Sequence, residues 1–302
     1  MSLQIFPRSF CLALLGLALA SPAFAGDPFR PYAPRNIGSH TEAAFNAIFR
    51  EGNYKSARDL LAVAMATEPN EPLAFAMQAS LAYDAADFEA MKLYAEKTRQ
   101  AAEQLKPQDP LRGNLYLAVS YFLEGGYLLK KGNYLEAVSK AGNVFDYLDT
   151  AAKSNPDDPE LNLLRGYLDL FLSKYTPFSQ SDQVINRFQQ YASPEYLKNR
   201  ALATTYRDLK KYDQAMEYLD KALAETPENP ELQYLKGQLL RIKGREQKDI
   251  TLLQSAQVYY QVALQKQDQL SQAVIVQLNH ENNAIQYEIQ KLRDNPNLKS
   301  FD

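Results

Sequence analysis

One phrase is written twice in this chain. Asn155–Leu168 reads NPDDPELNLLRGYL, and Thr226–Leu239, 71 residues further on, reads TPENPELQYLKGQL. Both contain P-x-x-P, and that spacing occurs at Pro69/Pro72, Pro107/Pro110, Pro156/Pro159 and Pro227/Pro230. Proline steers the residue before it away from helical angles, so the first proline of each pair ends a helix. The second suits the first turn of a new helix, where a missing N–H is no loss. Of the residues just before that second proline, Asp109, Asp158 and Asn229 are good N-caps, while Glu71 is a weaker type. Each phrase is therefore a helix stop followed by a helix start.

A second mark alternates with the first. Gly-Asn-Tyr-Lys-Ser-Ala (Gly52–Ala57) recurs as Gly-Asn-Tyr-Leu-Glu-Ala (Gly132–Ala137), with weaker copies at Asp87–Met91 and Lys211–Ala215. Gly-Asn supplies a tight turn between helices. The aromatic that follows, three residues before a small side chain, begins a packed second helix. From Tyr54 to Pro69 and from Tyr212 to Pro227 the distance is 15 residues in both cases.

Helix, turn, second helix and proline break at this spacing resemble tetratricopeptide repeats, whose period is about 34 residues. The clearest unit is Tyr196–Asn229, with Ala203, Tyr206, Tyr212, Ala215, Leu219, Ala222 and Pro227 at the family's signature positions. The family's tryptophan is absent. Arg165 and Lys236 replace its leucine, while Gly166 and Gly237 keep its small residue. The fold expected is all-α: a solenoid of six helical hairpins over 40–267, closed by a long capping helix within 268–302.

Three hairpins are irregular. Phe88 to Pro107 spans 19 residues and Tyr134 to Pro156 spans 22, longer than the regular 15 by one and two helical turns. Such insertions lengthen a helix without turning its packed face away. Gly125-Gly126 is a candidate weak point in the long helix from Pro110. The pattern breaks at Tyr175–Phe178 before a helix near Asp182–Tyr191, and a polar stretch after Gly244 precedes Thr251–Lys266. Val274, Leu278, Ile285, Ile289 and Leu292 form an apolar stripe on Gln272–Arg293, as an end cap requires.

The beginning of the chain reads differently. Arg8, the apolar run Ser9–Ala20 and an A-x-A ending at Ala25 form a secretory signal peptide over 1–25, expected to be cleaved after Ala25. A buried first helix or an uncleaved anchor is the competing interpretation. Residues 26–39, with three prolines and no periodicity, read as an extended lead-in. Cys11, the single cysteine, lies inside the signal, so a mature chain rests on core packing without disulfides. The signal fits the periplasm or a thylakoid lumen. Signal, Pro/Arg start and irregular six-hairpin array together resemble exported tetratricopeptide proteins of cyanobacteria, a family to which no activity is attached.

Chemistry is sparse. His280-Glu281 opens like a zinc-protease motif, but Ala284 stands where the second histidine belongs. Two separated histidines and no mature cysteine argue against zinc, and Asp157-Asp158 lacks the spacing of a calcium loop. No phosphate-binding glycine loop or nucleophile elbow occurs. The chain is expected to be no enzyme and to need no metal or cofactor. A formal charge of −3 gives no reason to expect nucleic acid. Tyr54, Tyr134, Tyr206 and Tyr212 are expected in the core.

Where tetratricopeptide proteins bind peptides, the first helix of each hairpin lines a concave groove. The resemblance places Asn46, Tyr83, Tyr167, Arg200, Thr204, Arg207, Tyr234, Gln238 and Arg241 there. Arg207/Arg241, Thr204/Gln238 and Arg200/Tyr234 are each 34 apart, so stacking aligns them as a partly basic strip. Guanidinium groups grip carboxylates bidentately, which suits an acidic peptide or a C-terminus. Arginines that simply solvate a helix face explain the spacing equally well. The Lys/Asn carboxylate clamp of some members is missing, since Thr204 stands in an asparagine place and Ala201 contributes nothing. A protein or peptide partner is the leading expectation. The alternatives are a small ligand or lipid held by the apolar middle, Leu111–Leu172, and a structural subunit of an envelope or thylakoid-lumen assembly.

Overall fold

In the computed structural model, which describes residues 26–173, 181–295 and 301, every P-x-x-P joint separates two hairpins. The first hairpin is α1 (Ser39–Phe45), continued by a π-helical turn (Asn46–Arg50), and α2 (Tyr54–Thr67). Then come α3 (Pro72–Asp84) with α4 (Phe88–Leu105), and α5 (Pro110–Lys130) with α6 (Tyr134–Ser154). They are followed by α7 (Pro159–Ser173) with α8 (Ser181–Tyr191), and α9 (Glu195–Asp208) with α10 (Tyr212–Glu225). The sixth pair is α11 (Pro230–Gln247) and α12 (Ile250–Leu264), and α13 (Gln272–Asp294) closes the end. Among the described residues there is no strand, and no helix is long and apolar enough to cross a membrane. The expected break at Tyr175–Phe178 lies outside the described residues.

The joints cap as the sequence requires, with one addition. Asp109, Asp158 and Asn229 accept from backbone N–H groups of α5, α7 and α11. Glu71 also caps, its carboxylate taking the Leu73 N–H at 3.0 Å. Gly125-Gly126 does not break α5, which runs unbroken through both.

The five described turns inside hairpins share one conformation. Gly52 and Gly132 have φ of 67° and 79°, and Ala86, Lys210 and Lys248 take φ of 57°, 58° and 54° at the corresponding places. A side chain in this left-handed region costs about 1–2 kcal/mol. Lys210→Gly is therefore expected to raise stability by about 1 kcal/mol, less what glycine loses in unfolded-chain entropy. Thermal denaturation of the variant checks this.

Within each hairpin the two helices meet through small residues; Ala57, Ala95, Ala137, Ala215 and Ala256 are buried. Gly166 and Gly237, the glycines of the repeated phrase, lie under the rings of Phe188 and Tyr260. A Cβ on either would come within 2.5 Å of that ring. Tyr206 is buried and Tyr54 and Tyr212 pack against the core, but Tyr134 is 67% exposed, contrary to the sequence expectation. The extra turns of α5 and α6 carry the tip of their hairpin, where Tyr134 sits, past its neighbours.

The array curves until its ends meet. Tyr54 of α2 donates to Glu231 of α11 at 2.8 Å, and the Asn229 amide donates to the Arg50 carbonyl at 3.2 Å. Residues nearly 180 positions apart are thus in contact. One apolar cluster runs from Phe29 and Ile37 through α1–α3, α7 and α9 to Leu239 of α11.

Candidate functional site

Closing the array turns the groove lined by first helices into an interior. α1, α3, α5, α7 and α9 surround a cavity of about 240 Å³, with Phe45, Met77, Tyr116, Leu163, Tyr167 and Leu197 among its walls. Ser80, Val119, Leu164 and Tyr167 also line a second compartment of about 210 Å³ between α5, α6 and α7. Phe122, Val144 and Leu168 connect that one to a third, of about 220 Å³. The third compartment is a cleft. Its floor is Gly125, Gly126, Ala137 and Ala141, and its walls are Phe122, Leu129, Val138, Phe145, Leu168 and Phe171. α6 is tied closely to α5 but only lightly to α7, which leaves the cleft open. Its lining is exposed in part: Val138 is 71% exposed, and Leu129, Phe122, Phe145 and Phe171 are also exposed.

The inner end of this passage is sealed by charge. Residues 26–38, expected as a bare lead-in, form a strap packed across the joints. Phe29 lies edge-on to Phe45 at 4.9 Å. The Arg30 guanidinium donates to both oxygens of Asp158 at 2.7 and 2.8 Å, to Glu160 at 2.8 Å and to Asp27 at 2.8 Å. Arg112 of α5 donates to Glu71 at 2.8 and 3.0 Å and to Glu160 at 3.1 Å, and Tyr116 donates to Glu160 at 2.6 Å. Arg35 pairs with Asp109. All of Asp27, Arg30, Glu71, Arg112, Asp158 and Glu160 are buried. Four carboxylates thus face two arginines inside, and the positive N-terminal ends of α3 and α7 supply further compensation. Burial alone would raise the Glu160 carboxyl, but Arg112 and Arg30 outweigh it and hold the group at about 2.

The second lock repeats the first. Glu231, equivalent to Glu160 in the repeated phrase, accepts from Tyr54 and pairs with Arg200 at 2.8 Å. Each lock thus sets a tyrosine and an arginine on the glutamate of P-E-L. Burial and Glu231 together push the Tyr54 hydroxyl well above the usual tyrosine range.

Several residues of the expected polar strip do come together. Arg207, Gln238 and Arg241 line one polar pocket of about 380 Å³, with Arg245, Tyr260, Gln277 and Glu281. Each guanidinium there meets a carboxylate of the chain itself. Arg241 donates to Glu288 at 2.6 and 3.0 Å, and Arg207 to Asp208 at 2.9 and 3.0 Å. Glu281 collects Tyr234, Gln238, Tyr260 and Gln277 at 2.8–3.0 Å. Burial would raise that carboxyl, and these donors lower it. Thr204 turns inward to the Arg200 carbonyl at 2.9 Å. Tyr83 lies apart from the pocket beneath Lys130, and Asn46 sits half-buried in the π-helical turn. Sequence reasoning missed Glu281 and Glu288 as partners of the strip, although their seven-residue spacing places them on one face of α13. It also missed Arg30 and Arg35, whose acceptors are far away in the chain.

Comparison with known proteins comes to three findings. Residues 199–239 match the family model of the tetratricopeptide repeat. No curated protein matches the chain. Among solved structures, a chain in the crystal structure of the APC/C hetero-tetramer Cut9-Hcn1 aligns at 14% identity with a TM-score of 0.33. That alignment covers 78% of this chain and 46% of the other, so this chain spans less than half of that protein's length. Residues 199–239 thus match a tetratricopeptide repeat, within a chain whose described helices pair into six hairpins, four of the joints between them marked by P-x-x-P.

Proposed function

We propose that the chain is an exported, non-catalytic scaffold that holds a partner protein through the apolar cleft between α5, α6 and α7. The observation that carries this reading is the clustering of exposed Phe122, Leu129, Val138, Phe145 and Phe171 at one cleft. Grouped apolar exposure of this kind marks an interaction surface. The occupant is an amphipathic helix: the glycine and alanine floor permits close approach, and the aromatic and aliphatic walls receive side chains at helical spacing. The polar strip serves instead to fasten α13, because Arg241 already holds Glu281 and Glu288 there, while Arg207 is engaged by Asp208 beside it. The signal over 1–25 supports export, and the partner is then a component of a periplasmic or thylakoid-lumen assembly.

The test compares capture of the partner by the full chain and by two variants. The pair Val138→Asp, Phe145→Asp, at exposed positions, is expected to leave the helical signal unchanged and to weaken capture roughly tenfold or more. Arg207→Glu, on the strip, is expected to leave capture intact. The opposite pattern would move the site to the strip.

A second reading rests on the two inner compartments, of about 240 and 210 Å³, whose walls are mainly apolar apart from Ser80, Asp84 and tyrosines. A hydrocarbon chain entering there leaves no buried hydrogen-bonding group unpaired, unlike an extended peptide. A lipid in the mass spectrum of the denatured protein, lost in Leu164→Trp, would support it.

A further inference from the structure

Glu42 points at the place where the sequence expects the mature chain to begin. It stands in the first turn of α1, half-buried, and its carboxylate lies so close to Gly26 that a Cβ there would meet Oε1 at 2.6 Å. Among the described residues this carboxylate has no hydrogen-bond or ion-pair partner, in contrast to the neighbouring carboxylates. Glu68 takes the His40 and Thr41 N–H groups, and Asp27 takes Arg30 and the Phe29 N–H. A place in the first turn of a helix suits a negative charge, but does not account for its aim at the Gly26 backbone.

The strap fixes Gly26 from the other side. Asp27, Phe29 and Arg30 are buried immediately after it, and Ile37 is fully buried further along. Arg30 and Arg35 fasten the same segment to Asp158 and Asp109. Gly26 is therefore held against Glu42 by contacts that do not depend on Glu42.

We infer that the N terminus created by processing is a structural group: hydrolysis of the Ala25–Gly26 bond frees an α-ammonium at Gly26, and Glu42 holds it. Water supplies the oxygen that makes the Ala25 carboxylate and the hydrogen that goes to the Gly26 nitrogen. That nitrogen takes a further proton to become the cation. A peptidase that recognises A-x-A does the cutting. Before the cut, residue 26 offers Glu42 only a neutral amide; after it, a half-buried carboxylate gains a charge partner and the strap gains a third anchor beside Arg30 and Arg35. The chain is then locked by its own export. This rests on the processing that the proposed export requires.

The test expresses the full-length gene in an exporting host and reads the intact mass and melting temperature of the exported protein. Glu42→Gln removes the acceptor. Two glycines inserted between Ala25 and Gly26 keep the cleavage motif but carry the ammonium away from Glu42. Each change is expected to lower the melting temperature by about 2 °C, and the two together by no more than either alone. Effects that add, or an insertion that leaves the melting temperature unchanged, would overturn the pairing. A mass that does not begin at Gly26 would refute the processing itself, a separate failure.

Discussion

Arg112→Ala is expected to destabilise the protein by about 3–5 kcal/mol, because it leaves the buried Glu71 without its arginine and Glu160 with Arg30 and Tyr116 alone. Arg112 is 1% exposed and Glu160 fully buried, so neither carboxylate can recover its partner from solvent. Denaturant unfolding of the variant checks the size. The same site predicts the acid response. Glu160 is held at about 2, against about 4.3 in an unfolded chain. Its contribution is therefore complete above about pH 5 and is lost as the pH falls towards 2. Glu160→Gln should flatten this part of the profile, since it removes the group that titrates. Asp84 and Asp169 are raised by burial and shift stability in the opposite sense, so the difference between wild type and Glu160→Gln isolates the hub.

Gly52→Ala and Gly132→Ala test closure of the array. Both glycines have positive φ, so both changes cost about 1 kcal/mol from the left-handed backbone alone. Around Gly132 a new Cβ finds open space. Around Gly52 it would lie 2.7 Å from Asn229 Oδ1 and 2.9 Å from Pro230 Cδ, at the seam between the first and sixth hairpins. Overpacking there adds about 1–3 kcal/mol. Gly52→Ala is thus expected to cost about 2–4 kcal/mol and Gly132→Ala about 1 kcal/mol, measured in the same unfolding assay. Equal losses would mean that the seam carries no load.

Local signals were readable in the sequence and long-range ones were not. Proline pairs, caps and Gly-Asn turns act within a few residues, so the joints, the six hairpins and α13 follow directly from them. The partners of the joint carboxylates do not. Arg30 reaches Asp158 across 128 positions, and Tyr54 reaches Glu231 across 177. Those meetings depend on curvature accumulated over several hairpins, which no single repeat encodes. The phrase Pro-Glu-Leu identifies a helix start, yet nothing in it says that Glu160 and Glu231 are the acceptors of both locks. Tyr134 was misplaced because its aromatic position fits the pattern while the lengthened third hairpin carries it into solvent. The strip was legible as a row, since repeats 34 apart bring Arg207 and Arg241 to one pocket. The counter-charges of Arg241 come from α13, outside the repeat pattern.

The cleft is tested most directly by a photo-crosslinking amino acid placed in the full-length chain at Val138 and, separately, at Gln238, followed by irradiation in the native compartment. A discrete protein adduct from Val138, with none from Gln238, is the predicted result. A protein adduct from Gln238 with none from Val138 would contradict the assignment and return the binding surface to the polar strip.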